Sequence, residues 1–150
     1  MNEVAMYKKI LVPIDLLEDE LNQDIIKHVE ALAMLGAPEI HFFSVITSVE
    51  LFFGIEIAAL PESQKNSAER SVLAMRALEE IIKDIKVPDA QINCKVSIGS
   101  AKDEILDYAQ EIDADLIMVG SHHPSTSTYL LGSTASAIVR HAKTSVFVIR

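Results

Sequence analysis

Five short runs, four of them mostly apolar and one with alternating apolar residues, alternate with segments of helical period, and this pattern constrains the fold of the 150-residue chain most strongly. The runs lie at residues 10–14, 40–46, 91–97, 116–119 and 145–149. Apolar runs such as ILVPI are typical of strands buried on both faces of a parallel sheet, whereas residues 91–97 alternate, with polar positions that face water. Because strands and helices alternate, we expect right-handed crossovers and a single doubly wound, Rossmann-like α/β sheet.

Between these runs, apolar residues recur with helical spacing in four segments. The first predicted helix begins near Asn22 and ends before Gly36, a residue type that commonly ends helices. The second ends before Pro88, the third spans residues 100–112, and the fourth begins near Ser133. Residues 47–60 are interpreted as an extended connection into the second helix. With no repeat and no break in composition, residues 1–150 are expected to form one domain.

The commonest order for five such strands, 3-2-1-4-5, locates the expected ligand site. In doubly wound sheets, ligands bind beyond the carboxyl ends of the strands, at the point where the strand order reverses. For this order, that point lies between the first and fourth strands. The sequence therefore predicts a site built from residues 13–16 and 120–134.

The segment GSHHPSTSTYLLGST, residues 120–134, has features of a phosphate site. Gly120 would let a ligand approach the backbone closely, and Gly132 precedes a helix whose first N–H groups favour an anion. Hydroxyl side chains are concentrated here at Ser121, Ser125, Thr126, Ser127 and Thr128. The alternative interpretation is a polar loop in which Ser133 is an ordinary N-cap.

Charge and composition exclude several classes of protein. The chain has 13 Lys and Arg against 22 Asp and Glu, a net charge of −9, which argues against binding nucleic acid or an anionic membrane surface. No run approaches the roughly 18 apolar residues of a membrane span, and no signal-peptide pattern is present. Cys94 is the single cysteine, so an internal disulfide framework is excluded. We expect a soluble, cytoplasmic protein.

Other nucleotide signatures are absent, since the sequence contains neither G-x-x-x-x-G-K-[ST] nor G-x-G-x-x-G. Asp15 could accept hydrogen bonds from a ribose or hold Mg²⁺ through water, or it could cap the turn after the first strand. Because the loop has no lysine, a bound triphosphate would need Mg²⁺ to offset its charge. His122 and His123 are adjacent and make a poor metal pair, so the metal ligands stay unassigned.

Five segments together resemble the universal stress protein family along essentially the whole chain. They are YKKILVPID, IHFFSVI, GSAKDEI, DADLIMVGS and LLGSTASAIVRHAKTSVFVIR. The resemblance implies a small α/β nucleotide-binding protein, usually a dimer, that is linked to stress responses and often carries ATP with Mg²⁺.

The ATP motif of that family is a glycine, two residues, a glycine, nine residues, a glycine, and then serine or threonine. Gly120 matches the first glycine, and Gly132 with Ser133 matches the last pair. His123 replaces the middle glycine, and eight residues separate it from Gly132. The form GSHHPSTSTYLLGS resembles a branch of the family, with a proline and several hydroxyls in this loop, in which nucleotide binding is also found.

The resemblance also implies roles for individual residues. Pro13, Ile14 and Asp15 would border the adenosine, and Val45 would offer backbone contacts to adenine. The residues implied at the ribose and phosphates are Gly120, Ser121, His122, His123, Ser133, Thr134 and Ala135.

We therefore expect a sensor or regulator of the stress response that binds ATP, ADP or AMP. One alternative is a slow ATP hydrolase, for which the candidate bases Asp15, His122 and His123 have no recognisable catalytic partner, so no catalytic residue is assigned. The other is a nucleotide-free interaction module that works through its dimer surface.

The apolar last strand, Val146–Ile149, lies at a sheet edge in the predicted order. An exposed edge of this kind is a template for pairing with another chain. We expect a two-fold homodimer in which the last strands pair antiparallel. The alternative is that a helix or loop of the same chain covers this edge.

Overall fold

The computed structural model describes residues 6–46, 67–121 and 131–150. Its strands are β1 (Lys9–Pro13), β2 (Glu39–Ile46), β3 (Ile92–Ile98), β4 (Leu116–Gly120) and β5 (Ser145–Ile149). The helices in these ranges are α1 (Asp19–Ala33), α2 (Ser67–Ile82), α3 (Ala101–Glu111) and α4 (Ser133–His141). The extended connection predicted at residues 47–60 lies outside the described residues.

The five described strands form one parallel sheet in the order β3-β2-β1-β4-β5. This confirms the predicted doubly wound α/β fold and its strand order. Strand β1 is central, since Ile10 is in register with Ile40 of β2 on one side and with Leu116 of β4 on the other.

Each face of the sheet is covered by two of the described helices. Because successive side chains of a strand point to opposite faces, the short apolar run of β1 contributes to two separate cores. Ile10 and Val12 belong to the core under α1 and α2, whereas Leu11 belongs to the core under α3 and α4. A run that is buried on both faces must be apolar at every position, which is the pattern seen in the sequence.

Helix α1 begins at Asp19 rather than near Asn22, the predicted start. Its first turn carries the exposed residues Asp19 and Glu20, whose carboxylates offset the positive end of the helix dipole. Because both are charged, the apolar spacing that predicted the helix does not include them. The helix ends at Ala33, and Gly36 follows with φ of 102°, as expected for the glycine that turns the chain toward β2. None of the described helices is both long enough and apolar enough to cross a membrane.

His41 is a buried ionisable residue on the face of β2 that is covered by α3. Its Nδ1 atom lies 3.4 Å from the Tyr108 hydroxyl. Its Nε2 atom has no hydrogen-bond partner among the described residues and lies 3.8 Å from a carboxylate oxygen of Glu39. Burial lowers the pKa of His41 below its ordinary value of 6.5, against the opposing effect of Glu39 and with a smaller contribution from Lys9. The fold therefore favours the neutral ring.

Replacing His41 with phenylalanine tests this effect. Because the pKa of His41 is lower in the folded state, its contribution to stability is complete above pH 6.5 and is lost as the pH falls through the folded-state value. We expect the free energy of unfolding of His41→Phe to fall less than that of the unmodified protein between about pH 7.5 and about pH 5. Denaturant titrations at several pH values measure this difference, and parallel pH profiles for the two proteins would contradict it.

Gly120, at the end of β4, is in close contact with Leu21 of α1. A Cβ atom built on Gly120 would lie 2.5 Å from Cδ2 of Leu21 and 2.8 Å from its Cγ. The side of Gly120 where we expected a ligand to approach is thus filled by a leucine side chain. A glycine is needed here for packing, whether or not a ligand binds nearby.

Gly120→Ala should destabilise the protein by about 1–3 kcal/mol, because the new methyl group overpacks against Leu21. Leu21→Ala should remove the obstacle, so that Gly120→Ala costs much less in that background. A double-mutant cycle of unfolding free energies measures this coupling. If the two effects simply add, the contact does not explain the glycine.

Candidate functional site

The candidate site is the carboxyl edge of the sheet between β1 and β4, where the strand order reverses. The β1–β4 register runs only to Leu11 and Ile117, although the strands continue to Pro13 and Gly120. On its other side, β1 stays in register with β2 as far as Pro13 and Phe43. The sheet therefore opens between β1 and β4, and we call this opening the crevice. A doubly wound sheet binds its ligands at such a place.

Asp15 follows β1 at one side of the crevice and forms a tight turn. One of its carboxylate oxygens, Oδ1, accepts a hydrogen bond from the Leu17 amide at 3.0 Å, and its carbonyl accepts one from the Glu18 amide at 3.1 Å. The alternative role predicted for Asp15, capping this turn, is thus present in the structure. The side chain is exposed, and its second oxygen receives no hydrogen bond from the described residues. Asp15 can therefore cap the turn and still accept a hydrogen bond from a ligand.

Two buried polar side chains that the sequence analysis did not assign hold this loop. The Ser44 hydroxyl of β2 donates to the Ile14 carbonyl at 2.8 Å, and the Asn22 amide nitrogen of α1 donates to the Asp15 carbonyl at 2.7 Å. Both residues are about 1% exposed. The only signal in the sequence is a polar residue within an apolar run or on the apolar face of a helix.

Pro13, Ile14 and Val45 lie near one another at the ends of β1 and β2. Pro13 and Ile14 are buried, and the Ile14 amide donates to the Phe43 carbonyl at 2.8 Å. Val45 is half-buried and packs against the core under α3 and α4. Because the Ile14 and Val45 side chains pack into the two cores, a ligand at this edge would meet mainly backbone atoms.

Ser121 links the end of β4 to β5. Its amide donates to the Ile149 carbonyl at 2.9 Å, and its buried hydroxyl lies 3.5 Å from the same oxygen. The hydroxyl is thus directed toward β5. The Ser121 carbonyl oxygen lies 3.6 Å from the position that a Cβ atom of Gly132 would occupy, so the end of β4 and the start of α4 are adjacent.

Gly132, rather than Ser133, is the N-cap of α4. The first hydrogen bond of the helix runs from the Ser136 amide to the Gly132 carbonyl at 2.9 Å, and no side chain caps this end among the described residues. The amides of Ser133, Thr134 and Ala135 therefore precede the hydrogen-bonded ladder of the helix. Such amides are the groups with which helix N-termini bind anions.

The charges of the helices also set α4 apart. Helices α1, α2 and α3 carry carboxylates in their first turns: Asp19, Glu20, Glu69, Asp103 and Glu104. The first turn of α4 has no acidic residue, and its last turn has Arg140 and His141. The positive end of its dipole is therefore not offset by a carboxylate in its own first turn.

Part of the predicted site lies outside the described residues, namely His122, His123, Ser125, Ser127 and Thr128. Within residues 6–46, 67–121 and 131–150, no group of three or more His, Cys, Asp and Glu side chains could hold a metal ion. The segments that the described structure brings to the crevice are residues 13–15, 44–45, 120–121 and 132–135.

Comparisons with known proteins agree with this architecture. The sequence profile of the Universal stress protein family matches residues 6–150. Universal stress protein G of Shigella flexneri is 34% identical over 149 residues, which cover 97% of this chain and 100% of that protein.

Solved structures show the same fold. Universal stress protein UspA from Lactobacillus plantarum matches with a TM-score of 0.71 and 27% identity, covering 98% of this chain and all of that one. A universal stress protein solved in complex with cAMP matches with a TM-score of 0.65 and 20% identity, covering 96% of this chain and 97% of that one. Family profile, relatives and fold agree over nearly the whole length, and the chain belongs to the Universal stress protein family.

Proposed function

We propose that this protein binds an adenine nucleotide, ATP or its products ADP and AMP, in the crevice between β1 and β4. It acts as a cytoplasmic sensor or regulator in the stress response rather than as an efficient enzyme. The observation that carries this proposal is the start of α4, where uncapped amides adjoin the end of β4. In this arrangement the phosphates lie on α4 and the adenosine lies toward β1 and β2.

Gly132 supports the phosphate end of the proposal. Its φ of −61° and ψ of 160° are open to any residue, and a Cβ atom would meet only the Ser121 carbonyl, at an ordinary 3.6 Å, among the described residues. Neither strain nor packing within the described part of the chain therefore requires a glycine at this position. A phosphate group bound close to the backbone would favour a glycine, because a long side chain here would displace it.

Asp15 and Val45 support the adenosine end. The free carboxylate oxygen of Asp15 suits the hydroxyl groups of a ribose, and the backbone of Val45 lies at the adjacent strand end. A universal stress protein with this fold was solved with cAMP, itself an adenine nucleotide. That complex supports an adenine base as the ligand class here as well.

A phosphate chain in this crevice requires compensation of its charge. The protein carries a net charge of −9, and residues 120–135 include no lysine or arginine. Mg²⁺ bound with the nucleotide would supply the missing positive charge. Because the described residues offer no group of side chains that could hold a metal, the phosphate oxygens and water would provide most of its ligands.

The two alternatives differ from this proposal in chemistry. A hydrolase needs a base beside the attacking water, and Asp15, the candidate among the described residues, already uses one oxygen in its turn. An interaction module that binds no nucleotide would not require the uncapped amides at the start of α4. ADP released from Mg²⁺-ATP by the purified protein would favour the hydrolase, and absence of binding would favour the module.

Gly132→Glu should abolish binding of Mg²⁺-ATP, because its carboxylate would occupy the place of a phosphate. Gly132→Ala is the matched control, since its methyl group has room beside Ser121, and it should weaken binding far less. Calorimetric titration measures both affinities, and denaturant unfolding verifies that both variants fold. Unchanged affinity in folded Gly132→Glu would show that phosphate does not bind there.

We also propose that two copies pair through β5. This strand is an edge of the described sheet, it contains no charge or proline, and Phe147 is 39% exposed. The Ile149 carbonyl accepts from Ser121 and so faces β4. Since the N–H and C=O of one residue lie on the same side of a strand, Val148 presents its amide at the outer edge. Antiparallel pairing of two β5 strands would use that amide and cover both edges.

Val148→Pro should lower the fraction of dimer, because it removes an outward-facing donor without touching the bonds to β4. Val148→Ala retains the amide and should leave the dimer intact. Light scattering at micromolar concentrations measures the mass of each protein. An unmodified protein that stays monomeric at high concentration would rule out pairing through this edge.

A further inference from the structure

Asn22 has an unusual position for a polar residue. It lies on the core-facing side of α1, one turn before Ile25 and Ile26, and is about 1% exposed. Its Nδ2 atom donates to the Asp15 carbonyl at 2.7 Å, whereas its buried Oδ1 atom has no hydrogen-bond partner in the part of the chain that the structure describes. The amide orientation follows from chemistry, because exchanging the two atoms would place two acceptors 2.7 Å apart.

Stability alone does not account for this side chain. A buried oxygen without a partner costs free energy, and an apolar side chain of similar size would avoid that cost. Nor does the Asp15 carbonyl depend on Asn22, since it already accepts a hydrogen bond from the Glu18 amide at 3.1 Å. The hydrogen bond from Asn22 therefore serves something other than satisfying a buried carbonyl.

Together with the bond from the Glu18 amide, this bond holds the peptide group at Asp15 in one direction. The hydroxyl of Ser44, on β2, donates a hydrogen bond to the preceding carbonyl, that of Ile14. With both carbonyls held, the backbone from which the Asp15 carboxylate projects cannot rotate freely.

The neighbouring residue on α1 connects to the other side of the crevice. Leu21 packs against Gly120 at the end of β4, whereas Asn22 bonds to the loop after β1. The start of α1 thus contacts both strand ends that border the crevice.

We propose that Asn22 is a positioning residue for the nucleotide site, holding Asp15 where its free carboxylate oxygen accepts hydrogen bonds from the ribose hydroxyls. This inference rests on the proposed function, since it needs a nucleotide in the crevice. Asn22 thus contributes to ligand affinity through Asp15, without contacting the ligand itself.

Asn22→Leu separates positioning from stability. Because leucine replaces the unpartnered oxygen with an apolar group, the free energy of unfolding should be unchanged or higher. The Kd for Mg²⁺-ATP should nevertheless rise about tenfold. Asn93→Leu, the same replacement at an exposed site on β3, is the matched control and should alter neither quantity. If leucine prevents folding, Asn22→Ala replaces it in the same comparison.

A second ligand tests the step through Asp15. The unmodified protein should bind ATP more tightly than 2′,3′-dideoxy-ATP, which lacks the ribose hydroxyls. Asn22→Leu should lose affinity for ATP but not for the dideoxy analogue, so that the preference disappears. A residue with a merely structural role would weaken both ligands alike or neither.

The outcomes distinguish the two proposals. If the unmodified protein binds ATP and Asn22→Leu binds it equally well, or loses both ligands in equal measure, the positioning role is overturned and nucleotide binding stands. A variant that is less stable but keeps its full preference for ATP also overturns it. If the unmodified protein binds neither ligand, both proposals fail.

Discussion

The pairing of β1 with strands on both sides is the constraint on which the rest of the structure depends. Because β1 lies between β2 and β4, helices must cover both of its faces, and its buried residues from Ile10 to Pro13 must be apolar. The same position creates the crevice, since the chain leaves β1 to build one half of the sheet and returns to β4 to build the other. Core and candidate site thus share one topological origin.

The candidate site obtains its positive potential without basic side chains. The described structure offers the backbone amides at the start of α4 and the dipole of that helix, in a protein with a net charge of −9. A surface of lysines would attract many polyanions, whereas a few directed amides favour a compact anion of matching shape. The charge of the chain and an anion site are therefore compatible, and the acidic surface would disfavour nucleic acid.

The strand order and the segments that meet at the crevice could be predicted, because short apolar runs and the glycines at 120 and 132 are local features of the sequence. The start of α1 was misplaced, since Asp19 and Glu20 face water and follow no apolar period.

The roles of Asn22 and Ser44 could not be predicted. Each depends on a carbonyl that only the folded chain brings near, 7 and 30 residues away along the sequence. For Gly120 the sequence predicted close approach of a ligand, whereas the structure shows contact with Leu21, which depends on the packing of α1.

The two edges of the described sheet are not alike. On the edge strand β3, the ammonium group of Lys95 lies 4.5 Å from the centre of the Tyr108 ring and 3.8 Å from a carboxylate oxygen of Glu111. A strand that paired with β3 would have to disturb this charged side chain. Within the described part of the chain, strand β5 itself has no charged side chain. A sheet with two open edges could grow without limit into a filament. A sheet with one protected edge can use the other only once, so the assembly proposed through β5 would close at two copies.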